Sequence, residues 1–260
     1  TVIQQPVAAP DLWSGGPALT DLVKLPEIKA ELDANNVVFI GVGGAANSQR
    51  IITKPPVKSI ADLAGLKINS QSLSPELLNA MGITTTMIPS MEIYDAFAKG
   101  TIDGLLSMAA GISVYKHYEI GQNWFDIPLG SSIFLQVMNK DTFNKLPDDL
   151  KKLIIDMIPE VNHAVYGINQ VLGNDRIFEE EIKAKVTVTT PSAEDVALLY
   201  KLTEETAWAK WVSDTAERGL PAQDILDTWI ELNKKYDAIP RPPYQEIVDQ
   251  YWPYYELPRQ

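Results

Sequence analysis

The 260-residue chain contains no cysteine, so disulfides, thiolate metal sites and cysteine nucleophiles are excluded. Its two histidines, His117 and His163, lie far apart in sequence. That spacing argues against a histidine-based zinc centre, and each reads as a surface or core side chain. Positive charge is scarce: 22 Lys and Arg stand against 34 Asp and Glu, for a net charge of −12. A nucleic-acid interface needs a basic footprint, which this balance denies. The same field repels anionic membrane surfaces, and an anionic ligand would need a local cation to overcome it. No stretch reaches the ~18 apolar residues of a membrane span, so direct membrane insertion is not expected. The opening T-V-I-Q-Q-P has no basic head or apolar run, as is also true of a secreted chain in its mature form. Catalytic signatures are missing too: there is no G-x-S-x-G elbow, H-E-x-x-H pair or Walker loop. Gly41-Val42-Gly43-Gly44 follows a strand-like run without the rest of a dinucleotide fingerprint. Asp148-Asp149, Glu179-Glu180-Glu181 and Glu204-Glu205 read as solvated helix faces. No catalytic residue, cofactor or metal is assigned.

What is present is an ordinary globular composition, 45% hydrophobic and 22% charged. Ser59 to Gly104 alternates capped helical turns with short apolar runs, the pattern of an α/β fold with parallel strand pairing. Strands are expected at Val37–Ile40, Gln49–Thr53, Leu66–Ile68, Thr84–Ile88, from Thr101, a buried one at Ile133–Met138, and at Val186–Thr190. Helices are expected at Thr20–Ala34 with a break at Pro26, Pro75–Met81 and Met91–Lys99. The second half reads as long helices: Asp148 to about Lys185 with a kink at Pro159, Ala193–Arg218, and Ala222–Lys235. The first nineteen residues read as loop, and the Pro- and aromatic-rich tail from Ala238 as a non-regular strap. In open α/β sheets ligands sit beyond the carboxyl ends of strands. The residues after Ile68, Ile88 and Ile102 are therefore the places to look for function.

Four ordered blocks carry a resemblance to a known family. They are D-L-A-G-L-K-I-N (Asp62–Asn69), A-M-G-I-T-T-T-M-I-P (Ala80–Pro89), E-I-Y-D-A-F-A-K-G-T-I-D-G (Glu92–Gly104) and N-K-D-T-F-N-K-L-P (Asn139–Pro147). The stretch from Leu19 to Tyr236 resembles the solute-binding proteins of tripartite ATP-independent periplasmic (TRAP) transporters. The resemblance implies a two-lobe, periplasmic-binding-protein-like α/β fold with long helices spanning the lobes. It implies residues 1–58 as a remnant of the first lobe, short at its N-terminus. Residues 59–140 are then the second lobe, 141–237 the crossing and returning helices, and 238–260 the strap. It also implies a periplasmic location, transporter membrane subunits as partners, and a monomer, with a dimer as the alternative.

The family's cleft arginine at the end of the G-L-K-I strand grips a ligand carboxylate through a two-pronged ion pair. Asn69 stands there in this chain, and a neutral amide orients a ligand without supplying charge. Ser107 falls where the family's contacting Asn lies, with the adaptable Met108 beside it. Ser90 matches a cleft-lining position, with helix N-capping as its competing role. Arg50, or its neighbour Gln49, is the remaining candidate for the cleft. Asp103 reads as structural. The expectation is a receptor for a monocarboxylate, a sulfonate or an aromatic or apolar compound rather than a dicarboxylate. The competing readings are a degenerate or sensor-linked binding protein that acts through protein partners and, third, an α/β enzyme.

Overall fold

The computed structural model describes residues 2–44, 49–70, 73–131 and 133–255. Its strands are β1 (Val37–Gly44), β2 (Arg50–Thr53), β3 (Lys67–Asn69), β4 (Thr84–Thr86), β5 (Gly104–Ser107), β6 (Asn123–Phe125), β7 (Ile133–Asn139) and β8 (Thr187–Thr189). The first five helices are α1 (Leu12–Leu22), α2 (Pro26–Ala34), α3 (Pro75–Ala80), α4 (Ile93–Lys99) and α5 (Ala109–Val114). Then come α6 (Lys140–Asn144), α7 (Asp148–Asp156), α8 (Ile158–Val165), α9 (Ala193–Thr203), α10 (Ala209–Ala216), α11 (Ala222–Asp237) and α12 (Tyr244–Tyr255). Among the described residues, no helix is long and apolar enough to cross a membrane.

The strands form two sheets, one in each lobe. The larger runs β4-β3-β5-β2-β6-β8, and the smaller is the antiparallel pair β1-β7. β3 pairs in parallel with both β4 and β5, as the Ser59–Gly104 pattern requires, while β2 is antiparallel to β5 and β6. Successive side chains of a strand face opposite sides. Ile51, Leu106 and Phe125 accordingly enter one core, and Ile52, Leu105 and Trp124 enter another across the sheet. A third core joins β1 and β7 to α1, α8 and α11.

The turn motif at Asp103-Gly104 has a direct physical basis. The Asp103 carboxylate accepts from Lys67 N–H at 2.8 Å and so ties the start of β5 to the start of β3. A Cβ on Gly104 would lie 2.6 Å from the Ile52 carbonyl oxygen and 2.8 Å from Ile68 Cδ1. Only glycine lets β2, β3 and β5 approach this closely.

The helical run that begins at α8 bridges the lobes. It continues through wide, π-type turns over Tyr166–Asp175 and Phe178–Ile182. Near its start, Asn162 accepts from Val42 N–H of β1 at 3.3 Å and donates to Thr20 Oγ1 at 2.8 Å. Three turns on, Asn174 accepts from Ala109 N–H at 2.9 Å, at the start of α5 in the other lobe. Both side chains are buried.

Several elements differ from the sequence reading. Residues expected as loop form α1, whose N-cap Asp11 accepts from Trp13 and Ser14 N–H. Its glycines serve packing: a Cβ on Gly15 would collide with Ile133 Cδ1. Pro159 opens α8 after a break at Met157 instead of kinking one helix, because a first-turn residue needs no N–H partner. β7 is only partly buried: Ile133 is buried, while Phe134 is 40% and Val137 44% exposed. The tail is helical as α12, with buried Tyr251 seated over Gly167 and its hydroxyl 2.7 Å from His163 Nδ1. The sheets draw on both sides of the divisions at 58 and 140. β2 is central to the larger sheet, and β7 belongs to the smaller one.

Replacing Gly104 by Ala should cost at least ~2 kcal/mol, because backbone oxygen and two side chains must move. Thermal unfolding would check this through a fall in Tm of several degrees.

Candidate functional site

The carboxyl ends of β3 and β5 and the start of β2 lie side by side. Asn69 pairs with Leu105, and Ser107 with Arg50. The helical turns that follow these strands fold over this edge and leave a cavity of about 130 Å³. Gln49, Asn69, Ser90, Ser107 and Met108 line it, together with Ile93, Leu105, Leu106, Gly111, Tyr115 and His117. Five of the six residues singled out from the sequence, drawn from four separate segments, thus meet at one place.

Each has a specific setting. Asn69 is buried, and its Oδ1 accepts from Ile88 N–H at 2.7 Å, which fixes the chain leaving β4. The side-chain oxygen is therefore engaged in holding the wall it belongs to. Ser90 lies in a 3₁₀ turn, Ser90–Glu92, ahead of α4. Glu92 occupies the N-cap of α4, so the capping role expected of Ser90 is not what the backbone uses. Ser107 ends β5, and Met108 is the residue before α5, which Asn174 holds by its first N–H. Gly111 faces Ser107 across one helical turn: a Cβ there would sit 2.8 Å from Ser107 Oγ.

Arg50 is not among the lining residues. Its Nε donates to Asp126 Oδ1 at 2.6 Å, and Nη1 donates to the Gln49 carbonyl at 3.0 Å. The bond to Asp126 therefore directs the Arg50 guanidinium away from the lining set. Arg50 also moderates Asp175, whose carboxyl is pushed above the ordinary range chiefly by burial, with hydrogen bonds from Asn174 and Gln170 opposing. Its charge belongs to an ion-pair setting, not to the cavity wall.

Six lining residues lie outside the sequence-based set, and among them Tyr115 and His117 have rings that stack with centroids 5.6 Å apart. His117 is only 2% exposed, and neither ring nitrogen has a hydrogen-bond partner. Burial alone depresses the imidazole from 6.5 to about 4, so it is neutral at physiological pH. The described lining residues therefore carry no formal charge at pH 7. Nothing in the local pattern around Tyr115-Lys116-His117 marks the histidine. The signal is tertiary: Lys116 takes a left-handed conformation, φ 54°, and the following turn carries the ring inward. No group of three or more metal-ligating side chains occurs among the described residues.

The family description of DctP, bacterial extracellular solute-binding protein family 7, matches residues 19–213. A solute-binding protein of Sulfitobacter sp. (strain NAS-14.1) is 25% identical over 219 residues, 84% of this chain and 63% of the relative. The chain thus spans less than two thirds of that relative's length. A TRAP periplasmic solute-binding protein from Desulfovibrio salexigens superposes with a TM-score of 0.77 at 22% identity, covering 94% of this chain and 75% of that one. A marine-metagenome TRAP solute-binding protein specific for aromatic acid ligands, solved with metahydroxyphenylacetate, gives 0.74 at 22% identity, covering 91% and 74%. The fold similarity confirms the two-lobe α/β architecture.

Two outcomes follow from the electrostatics. The folded state holds His117 below its unfolded value, so between about pH 4 and 6.5 the unfolded chain binds more protons. Stability should fall as pH drops through this window, by up to about 3 kcal/mol. Urea unfolding at a series of pH values should show the slope, and His117→Phe should flatten it. Separately, Arg50→Met should cost about 1–2 kcal/mol for loss of a partly buried, charge-assisted pair, read as a lower Tm.

Proposed function

Since the chain belongs to the DctP family of bacterial extracellular solute-binding proteins, family 7, we propose that it is an extracytoplasmic receptor for one small organic ligand. It captures the ligand at the strand-end cavity and delivers it, as a monomer, to the membrane subunits of a TRAP-type transporter in the periplasm. The observation that carries this reading is the convergence of Gln49, Asn69, Ser90, Ser107 and Met108 on one cavity. They arrive there from positions that the family resemblance marks independently in the sequence. Capture shifts an equilibrium between open and closed arrangements of the lobes, with the helical run over 158–182 as the element common to both.

The ligand class follows from charge and size. A cavity of about 130 Å³ is near the ~150 Å³ that accommodates benzene. It suits a single ring or a short chain. Two carboxylates placed against a wall with no fixed cation would each lose hydration without an opposite charge, at several kcal/mol apiece. A monocarboxylate, a sulfonate or an aromatic compound meets the polar groups present; succinate and malate do not. The specificity of the marine relative for aromatic acids supports the same class.

Thermal unfolding against dicarboxylates, monocarboxylates, sulfonates and neutral aromatic compounds tests the reading. A true ligand at 100 times its Kd adds about 2.7 kcal/mol, a rise of several degrees. The rise should disappear in Gly111→Val, where the new side chain displaces Ser107 Oγ and fills the cavity. Tight binding of succinate or malate would sink the ligand class. A flat panel from a folded protein would sink the receptor.

A further inference from the structure

His117 is a cavity residue whose chemistry the receptor reading leaves unused. A buried polar group without a partner costs about 1–3 kcal/mol, and such groups are rare in folded proteins unless something else satisfies them. Here two such atoms belong to one ring, and that ring lines a cavity. The stack on Tyr115 holds the ring's plane while leaving both nitrogens unpaired. Neutral imidazole offers one donor and one acceptor; protonated, it offers two donors and a positive charge.

The groups that could otherwise set its charge are committed to other partners. On α4, the Tyr94 hydroxyl donates to Glu119 at 3.1 Å. Against α5, Glu181 accepts from the Ser113 hydroxyl at 2.5 Å. Asp95 of α4 pairs with Lys99, and Lys185 lies over the Tyr118 ring. Lys116, beside His117 in sequence, and Glu92, ahead of α4, are exposed. No charged side chain contributes to the depression of the imidazole, which burial alone causes.

A monoanion entering this cavity by itself would be a buried charge without a counter-charge. A proton entering with it removes that penalty, and His117 is the group placed to hold it. We propose that the cavity takes a ring-sized monocarboxylate together with one proton from solvent, shared in a hydrogen bond between the ligand carboxyl group and the His117 imidazole. The ligand arrives as an anion, the proton comes from water, and the bound pair is neutral overall. A protonatable residue thus does in the complex what a fixed arginine does in related receptors, but only when the ligand is present. This inference rests on the receptor reading.

Benzoate and its neutral counterpart benzamide are the probes. Isothermal titration of the whole chain with benzoate at pH 6, in buffers of different ionisation enthalpy, should show close to one proton taken up per benzoate. Kd should weaken about tenfold per pH unit from 5.5 to 7. In His117→Gln, with folding checked by its melting curve, benzoate affinity should fall and proton uptake should vanish. Benzamide should bind the wild type without buffer dependence. Benzoate binding with no proton uptake and a flat Kd overturns the inference while leaving the receptor intact. So does uptake that survives in His117→Gln, because the proton then sits elsewhere. The wild-type titration decides the matter even if the variant does not fold. Failure of benzoate, benzamide and every compound of the wider panel to bind overturns the receptor reading and this inference together.

Discussion

Two buried amides on one helical run organise the molecule. Asn162 holds the run to β1 in the smaller-sheet lobe, and Asn174 holds it to the first turn of α5 in the larger. A buried backbone N–H without a partner is costly, so the bond from Ala109 N–H fixes where α5 starts. Met108 and Ser107 immediately precede that point, and Gly111, Tyr115 and His117 follow within nine residues. One side wall of the cavity is therefore referenced to the bridging helix. Any movement of that helix between the lobes acts on the cavity through this bond.

The opposite wall is built by the sheet. Asp103 ties β5 to β3, Gly104 lets β2 approach, and Asn69 anchors the exit of β4. The polar groups one would first assign to a ligand thus serve a structural purpose as well. Arg50 shows the same economy of charge. In a chain with 34 acidic residues a partly buried guanidinium finds a carboxylate, and here Asp126 takes it. The cavity is left polar but uncharged, with an unpaired imidazole in its wall. Such a wall discriminates by hydrogen bonding and by the cost of unpaired charge instead of by direct attraction.

Much of this was legible in the chain. The Ser59–Gly104 pattern called the parallel β3, β4 and β5, the strand-end rule pointed to the residues after Ile68, Ile88 and Ile102, and the family resemblance implied Asn69, Ser90 and Ser107. Asp103 read as structural, and its carboxylate does tie β5 to β3. These readings rest on motif spacing and on the alternation of helical turns and short apolar runs, which are properties of neighbouring residues. What failed depended on distant neighbours. α1 looked like loop because its glycines weaken helix propensity, yet they let the helix sit against Ile133. The tail looked irregular because a groove at Gly167, some eighty residues earlier, is what seats Tyr251 and orders α12.

The sequence by itself determined the family and the α/β class, and it marked five of the eleven residues that line the candidate cavity, because motif spacing and strand-end position are local properties. It also determined the absence of thiol chemistry and the shortage of cations. Tertiary structure alone decided the direction of Arg50, since the carboxylate of Asp126, 76 residues away in sequence, takes its charge. It alone decided the state of His117. An imidazole on an exposed turn would titrate at its ordinary value; here, chain from β2 to α5 closes around it, removes its water and leaves it facing the cavity.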